Sequence, residues 1–232
     1  MQRSPYIETF DGGPGGWMAW KPGQALRPEI KDGVFVARSP WAVDANHAPP
    51  GAGYLTLLAY LHTHPDHVTD QSRELAGENR FTAGGYSRDF TNAKLTVRLR
   101  GEVDLQGSQL VLLVQGDIPG TRPNFVLSGQ PFEITPDWSE QTVTLTPDPN
   151  QWTCLGGRHD MTDFYGYGDI ADVLKDVNVD IIFVLFPLTI VPLTPQDDPH
   201  RLRAGREYPV DERYLPSGYV MFDTVRLDYP AA

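Results

Sequence analysis

A chain of 232 residues with 40% hydrophobic content is long enough for one large domain with a proper core, or two small ones, and one is expected. Its 19 basic and 30 acidic residues leave a formal net charge of −11, which argues against nucleic acid and anionic membrane surfaces as partners. A single cysteine, Cys154, excludes an intrachain disulfide and a cysteine-based zinc knuckle.

In chain order, the opening MQRSPYIETFDGG has no apolar stretch of the kind a secretory signal needs. The expectation is a soluble protein, cytoplasmic or secreted with its signal removed. Gly 22 and Pro 21 then punctuate short runs of alternating or β-branched residues, the pattern of an all-β chain. Strands are predicted at 33–38, 54–63, 94–101, 109–115, 123–128, 131–135, 141–147, 181–186 and 218–227. Only 170–178 has helical spacing, with Ile170, Val173 and Leu174 on one side. The apolar run DIIFVLFPLTIVPL is broken by two prolines and is too short to span a bilayer. Short strands separated by polar turns predict a two-sheet antiparallel β-sandwich, a jelly roll, as a single domain over 1–232. The polar segments 64–85 and 190–217 read as loops elaborating it.

Alternation divides each strand into two faces. In YLTLLAYLHTH it puts Leu55, Leu57, Ala59 and Leu61 on the core side and Tyr60 and His62 on the other. In LTVRLRG it turns Leu95, Val97 and Leu99 inward and Arg98 and Arg100 outward. The same rule turns Leu110, Leu112, Val114, Phe125 and Leu127 inward, leaving Gln115 and Asn124 outside. If these strands share a sheet, its outer face presents Tyr60, His62, Arg98, Arg100, Gln115 and Asn124 together as a concave ligand-binding surface. An ordinary solvated sheet face is the alternative. Rings beside amides and guanidinium groups suit a sugar, whose C–H faces pack on aromatics and whose hydroxyls need donors and acceptors.

The segment HTHPDH, residues 62–67, matches H-x-H-x-D-H, with which metallo-β-lactamase-like hydrolases hold a pair of metal ions. The likeness stops there. That fold needs several helices, and the later histidines His159 and His200 lack the Gly-His-Thr/Ser-Pro-Gly context, so membership is rejected. The preferred reading is that Pro65 ends the strand and Asp66 and His67 begin a polar loop. A metal held in another way by His62, His64, Asp66 and His67 is the alternative.

The ends of the chain, IETFDGGPGGW and SGYVMFDTVRLDYP, with FTNAKLTVRLRG, SQLVLLVQG and PDWSEQTVTLTPDPNQW between them, resemble jelly-roll carbohydrate-binding modules and the wider galactose-binding-like β-sandwich group. By that resemblance Glu8, Asp11 and Asp223 are candidates for a structural calcium tying the first strand to the last. The bland reading has Asp11 capping its turn and Asp223 pairing with a local arginine.

Two functions follow. One is a carbohydrate-binding β-sandwich that recognises a glycan on one sheet face. The other is a carbohydrate-active enzyme on the same scaffold, a glycoside hydrolase or polysaccharide lyase, with His62 or His64 as acid, base or metal ligand and Arg98 or Arg100 neutralising an anionic substrate group. A structural, capsid-type jelly roll is a third. Glu74, Glu78, Glu102 and Glu133 are further carboxylates for glycoside hydrolysis. Trp17, Trp20, Trp41, Trp138 and Trp152 are core plugs or sugar platforms, with core preferred for Trp152.

Overall fold

Turn chemistry fixes the strand connections. In Lys31-Asp-Gly-Val34, Asp32 (φ 51°) and Gly33 (φ 73°) both take positive φ, and Lys31 pairs with Val34 across them. This two-residue hairpin loop favours Asp-Gly because its twist matches that of the flanking strands.

The computed structural model describes residues 4–21, 24–48, 51–158, 161, 163–199 and 202–231. Strands make up 41% of it and helices 12%. In chain order the elements begin with β1 (Tyr6–Glu8), β2 (Ala19–Lys21), β3 (Gln24–Leu26), β4 (Glu29–Lys31), β5 (Val34–Arg38), β6 (Val43–Asp44) and β7 (Tyr54–His62). Two helices follow, α1 (Asp70–Ala76) and α2 (Arg80–Ala83), and then β8 (Lys94–Asp104), β9 (Gln109–Gln115), β10 (Arg122–Val126), β11 (Ser139–Thr144), β12 (Thr153–Cys154) and β13 (Tyr165–Gly166). The last are α3 (Ile170–Lys175), β14 (Asp180–Leu188) and β15 (Ser217–Asp228).

A six-stranded sheet runs β11-β8-β15-β5-β4, with β1 also paired to β15. A seven-stranded sheet runs β12-β10-β9-β14-β7-β6, with β13 alongside β10. The fold is an all-β sandwich, as expected. The inward residues of β8, β9, β10, β14 and β15 interdigitate between the sheets as the main core, which includes Leu95, Val97, Leu99, Leu112, Val114, Phe125 and Val225. Phe183 of β14 bridges the layers, stacking on Phe222 of β15 at 4.7 Å and on Trp17 at 5.7 Å.

Three expectations need correction. The segment 64–85 contains α1 and α2. Thr69 caps α1 by accepting from the Ser72 amide, Gly77 ends it at φ 70°, and Asn79 caps α2. Around 131–135 the described pairing is one isolated bridge, Leu110 to Phe132. The strand carrying Arg98 and Arg100 lies in the six-stranded sheet, away from β7, β9 and β10.

The outer face of the seven-stranded sheet is not simply solvated. Leu55, Tyr60, Val111, Leu113, Val126, Ile182 and Val184 form a second apolar layer there, beneath Met18, Ala76 and Leu155. The β2–β3 hairpin joins this cover through reciprocal backbone hydrogen bonds between Met18 and Tyr60, at 2.9 and 3.0 Å.

Candidate binding cavity

Strict alternation along β7 fails at one residue, and that failure shapes the site. Ala59 pairs with Phe183, but the next partner pair is Leu57 with Val184, so a β-bulge falls at Leu58. Leu58 therefore joins Ala59 and Leu61 in the core between the sheets. Leu55 and Leu57, expected inside, turn outward with Tyr60.

Those three residues form part of the floor of a cavity of about 250 Å³ on the outer face of the seven-stranded sheet. That is near the small end of ligand pockets, which start at roughly 300 Å³. The adjacent strands β14, β9 and β10 add Asp180, Ile182, Leu113, Gln115 and Asn124. The polar members are neighbours by register: Gln115 pairs with Asn124 on one side and with Asp180 on the other. The walls come from Trp20 of β2, the 42–47 segment with Asp44 and His47, Arg158, Tyr165 of β13, and Arg203 and Arg206 from the segment after β14.

Aromatic contacts hold these walls in place. Trp20 meets Tyr60 edge to face at 5.5 Å, His47 meets Tyr165 at 6.0 Å, and the Arg158 guanidinium lies 4.3 Å over the Tyr165 ring. Tyr60 donates its hydroxyl to Met18 Sδ at 3.3 Å, and burial pushes its phenol far above the ordinary range, so it stays neutral. Asn124, 2% exposed, is 3.1 Å from His47 Nε2 through Nδ2, while its Oδ1 is buried with no hydrogen-bond partner. A buried, unanswered carbonyl at a cavity wall is an acceptor for a ligand hydroxyl.

At the Asp180 end, His62 Nδ1 lies 2.6 Å from Asp180 Oδ1. His67 follows, its ring 6.1 Å from that of His62, and burial lowers its pKa below the ordinary histidine value. Arg122, paired with Asp117, lies near enough for both charges to act on His67. His64 meets the other side of His67, ring to ring at 6.2 Å, while its Nδ1 accepts from the Asp66 amide at 3.2 Å and caps the turn Pro65–His67. Among the described residues no group of three or more His, Cys, Asp or Glu side chains is arranged to hold a metal ion. His159 and His200 lie outside the described residues.

Of the six predicted face residues, Tyr60, Gln115 and Asn124 line this cavity, and His62 adjoins it through Asp180. Arg98 and Arg100 do not. They stand on the opposite outer face of the sandwich, each 4.7 Å from the Trp138 ring, with Arg98 bonded to Asp223 at 2.7 Å. Alternation assigned their direction correctly but could not tell which sheet owned the strand. Among the described residues the calcium candidates form no group of three that could hold an ion, although the charge of Asp11 reaches Glu8. Glu8 is fully buried and holds Arg80 and the Phe10 amide, Asp11 lies by Gly33, and Asp223 is taken by Arg98. Glu74, Glu78, Glu102 and Glu133 are exposed and line no part of the cavity. Of the tryptophans, Trp17 and Trp152 are core, Trp41 packs against it, and Trp20 is the one at the cavity. Sequence reasoning missed Asp44, His47, Arg158, Tyr165, Asp180, Arg203 and Arg206. Only Asp180 left a signal, as the lone charge opening an apolar strand.

The chain is thus a two-sheet antiparallel β-sandwich with a walled polar and aromatic cavity on one outer face. No family model matches it, and no curated protein does. Among solved structures, the L4b domain of human laminin alpha-2 is similar over 98% of both chains, at 9% identity and a TM-score of 0.41. A chain from the work "Prominent members of the human gut microbiota express endo-acting O-glycanases to initiate mucin breakdown" is similar over 96% of this chain and 98% of its own, at 11% identity and a TM-score of 0.42. Likeness at this level says nothing of what the cavity holds. Among the described residues no helix is long and apolar enough to cross a membrane.

Proposed function

We propose that this protein recognises a glycan in the cavity on its seven-stranded sheet. The observation that carries the reading is the floor, where Asn124, Gln115 and Asp180 stand side by side on adjacent strands between the rings of Trp20, Tyr60 and Tyr165. Two amides, each donor and acceptor, and one acceptor carboxylate suit neighbouring hydroxyls, while flat rings suit the C–H faces of a pyranose. The volume suits one or two sugar rings and not a long chain enclosed along its length.

Trp20→Ala and Gln115→Ala test this, because both alter the cavity without touching the core between the sheets. Each is expected to keep the β-sheet circular dichroism of the parent and to weaken, by about fivefold or more, binding to glycans found on an array, since hydrogen bonds and stacking contacts are each worth about 1 kcal/mol or more. Unchanged binding by both variants would move the site elsewhere. The His62–Asp180 pair favours a second reading, catalysis on the same ligand, because a histidine can set the orientation and charge of a carboxylate acting as acid or base. New reducing or unsaturated ends on bound glycans would establish it.

A further inference from the structure

The charge balance of the cavity is the reverse of that of the chain. The whole sequence has 30 acidic to 19 basic residues, yet the cavity is lined by Arg158, Arg203 and Arg206 against Asp44 and Asp180. Charge of one sign concentrated against the overall field marks a place where the opposite sign is wanted.

Of the two carboxylates, only Asp180 stands apart from Arg203 and Arg206 along the floor. Asp180 stands beside Gln115 and His62 at one end. At the other end Asp44 pairs with Leu55, and Ala45 packs against Ala204, which places Arg203 and Arg206 there. Tyr60 and Leu55 are five residues apart on β7, roughly 15 Å of strand. Arg203 is held in position: its Nε donates to Glu207 Oε1 at 2.6 Å, and its amide donates to Glu207 Oε2 at 2.6 Å. Glu207 itself does not line the cavity. The Arg206 side chain, at the same rim, is exposed and acts on Glu207 only through its charge, with no hydrogen bond to it among the described residues.

We infer that the glycan carries an anionic group, a carboxylate or a sulfate, read by Arg206 and Arg203 at the Asp44 end, while Asp180, Gln115 and Asn124 take uncharged hydroxyls. This rests on the glycan reading of the same cavity. Guanidinium forks match planar carboxylates and sulfates with paired, charge-assisted hydrogen bonds.

The test is a defined array of neutral, uronic-acid-containing, sialylated and sulfated oligosaccharides, probed with the parent protein and with Arg206→Gln at low and at physiological salt. The expected result is selective binding of an acidic class, weakened by salt and reduced at least about tenfold by Arg206→Gln. The carboxylated and sulfated arms distinguish the two anion sources. Equal binding of neutral and acidic glycans, or no effect of Arg206→Gln, would overturn the inference and leave the glycan reading intact. Binding to no glycan at all would overturn both.

Discussion

The buried Glu8 carboxylate allows a sharp test of the way the N-terminal strand is held. Glu8 is fully buried, and its Oε1 receives Arg80 Nη1 at 2.6 Å and the Phe10 amide at 2.8 Å. Its Oε2 has no partner. Replacing Arg80 with methionine keeps much of the side-chain volume and removes the compensating charge. Breaking a buried ion pair from one side costs about 3–5 kcal/mol. The Arg80 side chain is 36% exposed, so solvent already screens part of the interaction, and about 2–3 kcal/mol is expected at neutral pH.

The loss should depend on pH in a definite direction. Burial already raises the Glu8 carboxyl above the ordinary range, against the pull of the Phe10 amide and Arg80, and losing Arg80 raises it further. A group whose folded pKa lies above its unfolded value, about 4.3 for a glutamate, contributes stability that is complete below that value. That contribution is lost as pH rises through the folded pKa. The Arg80→Met penalty is therefore largest near pH 7 and shrinks as pH falls toward the unfolded value. Urea unfolding followed by tryptophan fluorescence at pH 7 and pH 5 measures it, and Glu8→Gln in the Arg80→Met background should restore most of the loss. An equal penalty at both pH values, or no rescue by glutamine, would refute the reasoning.

Two other expectations concern residues that lie away from the cavity. Arg98→Ala with Arg100→Ala should leave glycan binding by the parent's cavity unchanged within about twofold, because both side chains stand over Trp138 on the far outer face. A loss of binding measured by calorimetry would place the site there instead. A calcium chelator is expected to leave the melting temperature unchanged, since Glu8 and Asp223 are already held by Arg80 and Arg98. A fall in melting temperature that added calcium reverses would show an ion stabilising the native form.

What could be read directly was local. Lys94–Asp104 was legible because Leu95, Val97 and Leu99 alternate with polar residues without interruption, and Ile170–Lys175 because Ile170, Val173 and Leu174 share one side. The helix at Asp70–Ala76 was also written in the chain, as Thr69 before an acidic first turn and Gly77 after the last. The polarity of its neighbours hid it. The bulge at Leu58 has no marker, since neither glycine nor proline accompanies it, and one extra residue inverts the faces of everything before it. The cavity was half legible for a different reason. Its floor comes from strand periodicity, whereas Asp44, Arg158, Tyr165, Arg203 and Arg206 come from segments far apart in the chain that only the folded sandwich brings together.

The bulge in β7 gives this strand two independent phases. On the His62 side of Leu58, Tyr60 meets the cavity and Leu61 the core; on the Tyr54 side, Leu55 and Leu57 meet the cavity and Thr56 is buried opposite Leu185. Substitutions on one side do not constrain the pattern on the other, so the end of the cavity beside Asp180 and the end beside Asp44 can diverge separately. Two related chains could keep one chemistry at the first end while reading quite different groups at the second, without any change in the core that carries both.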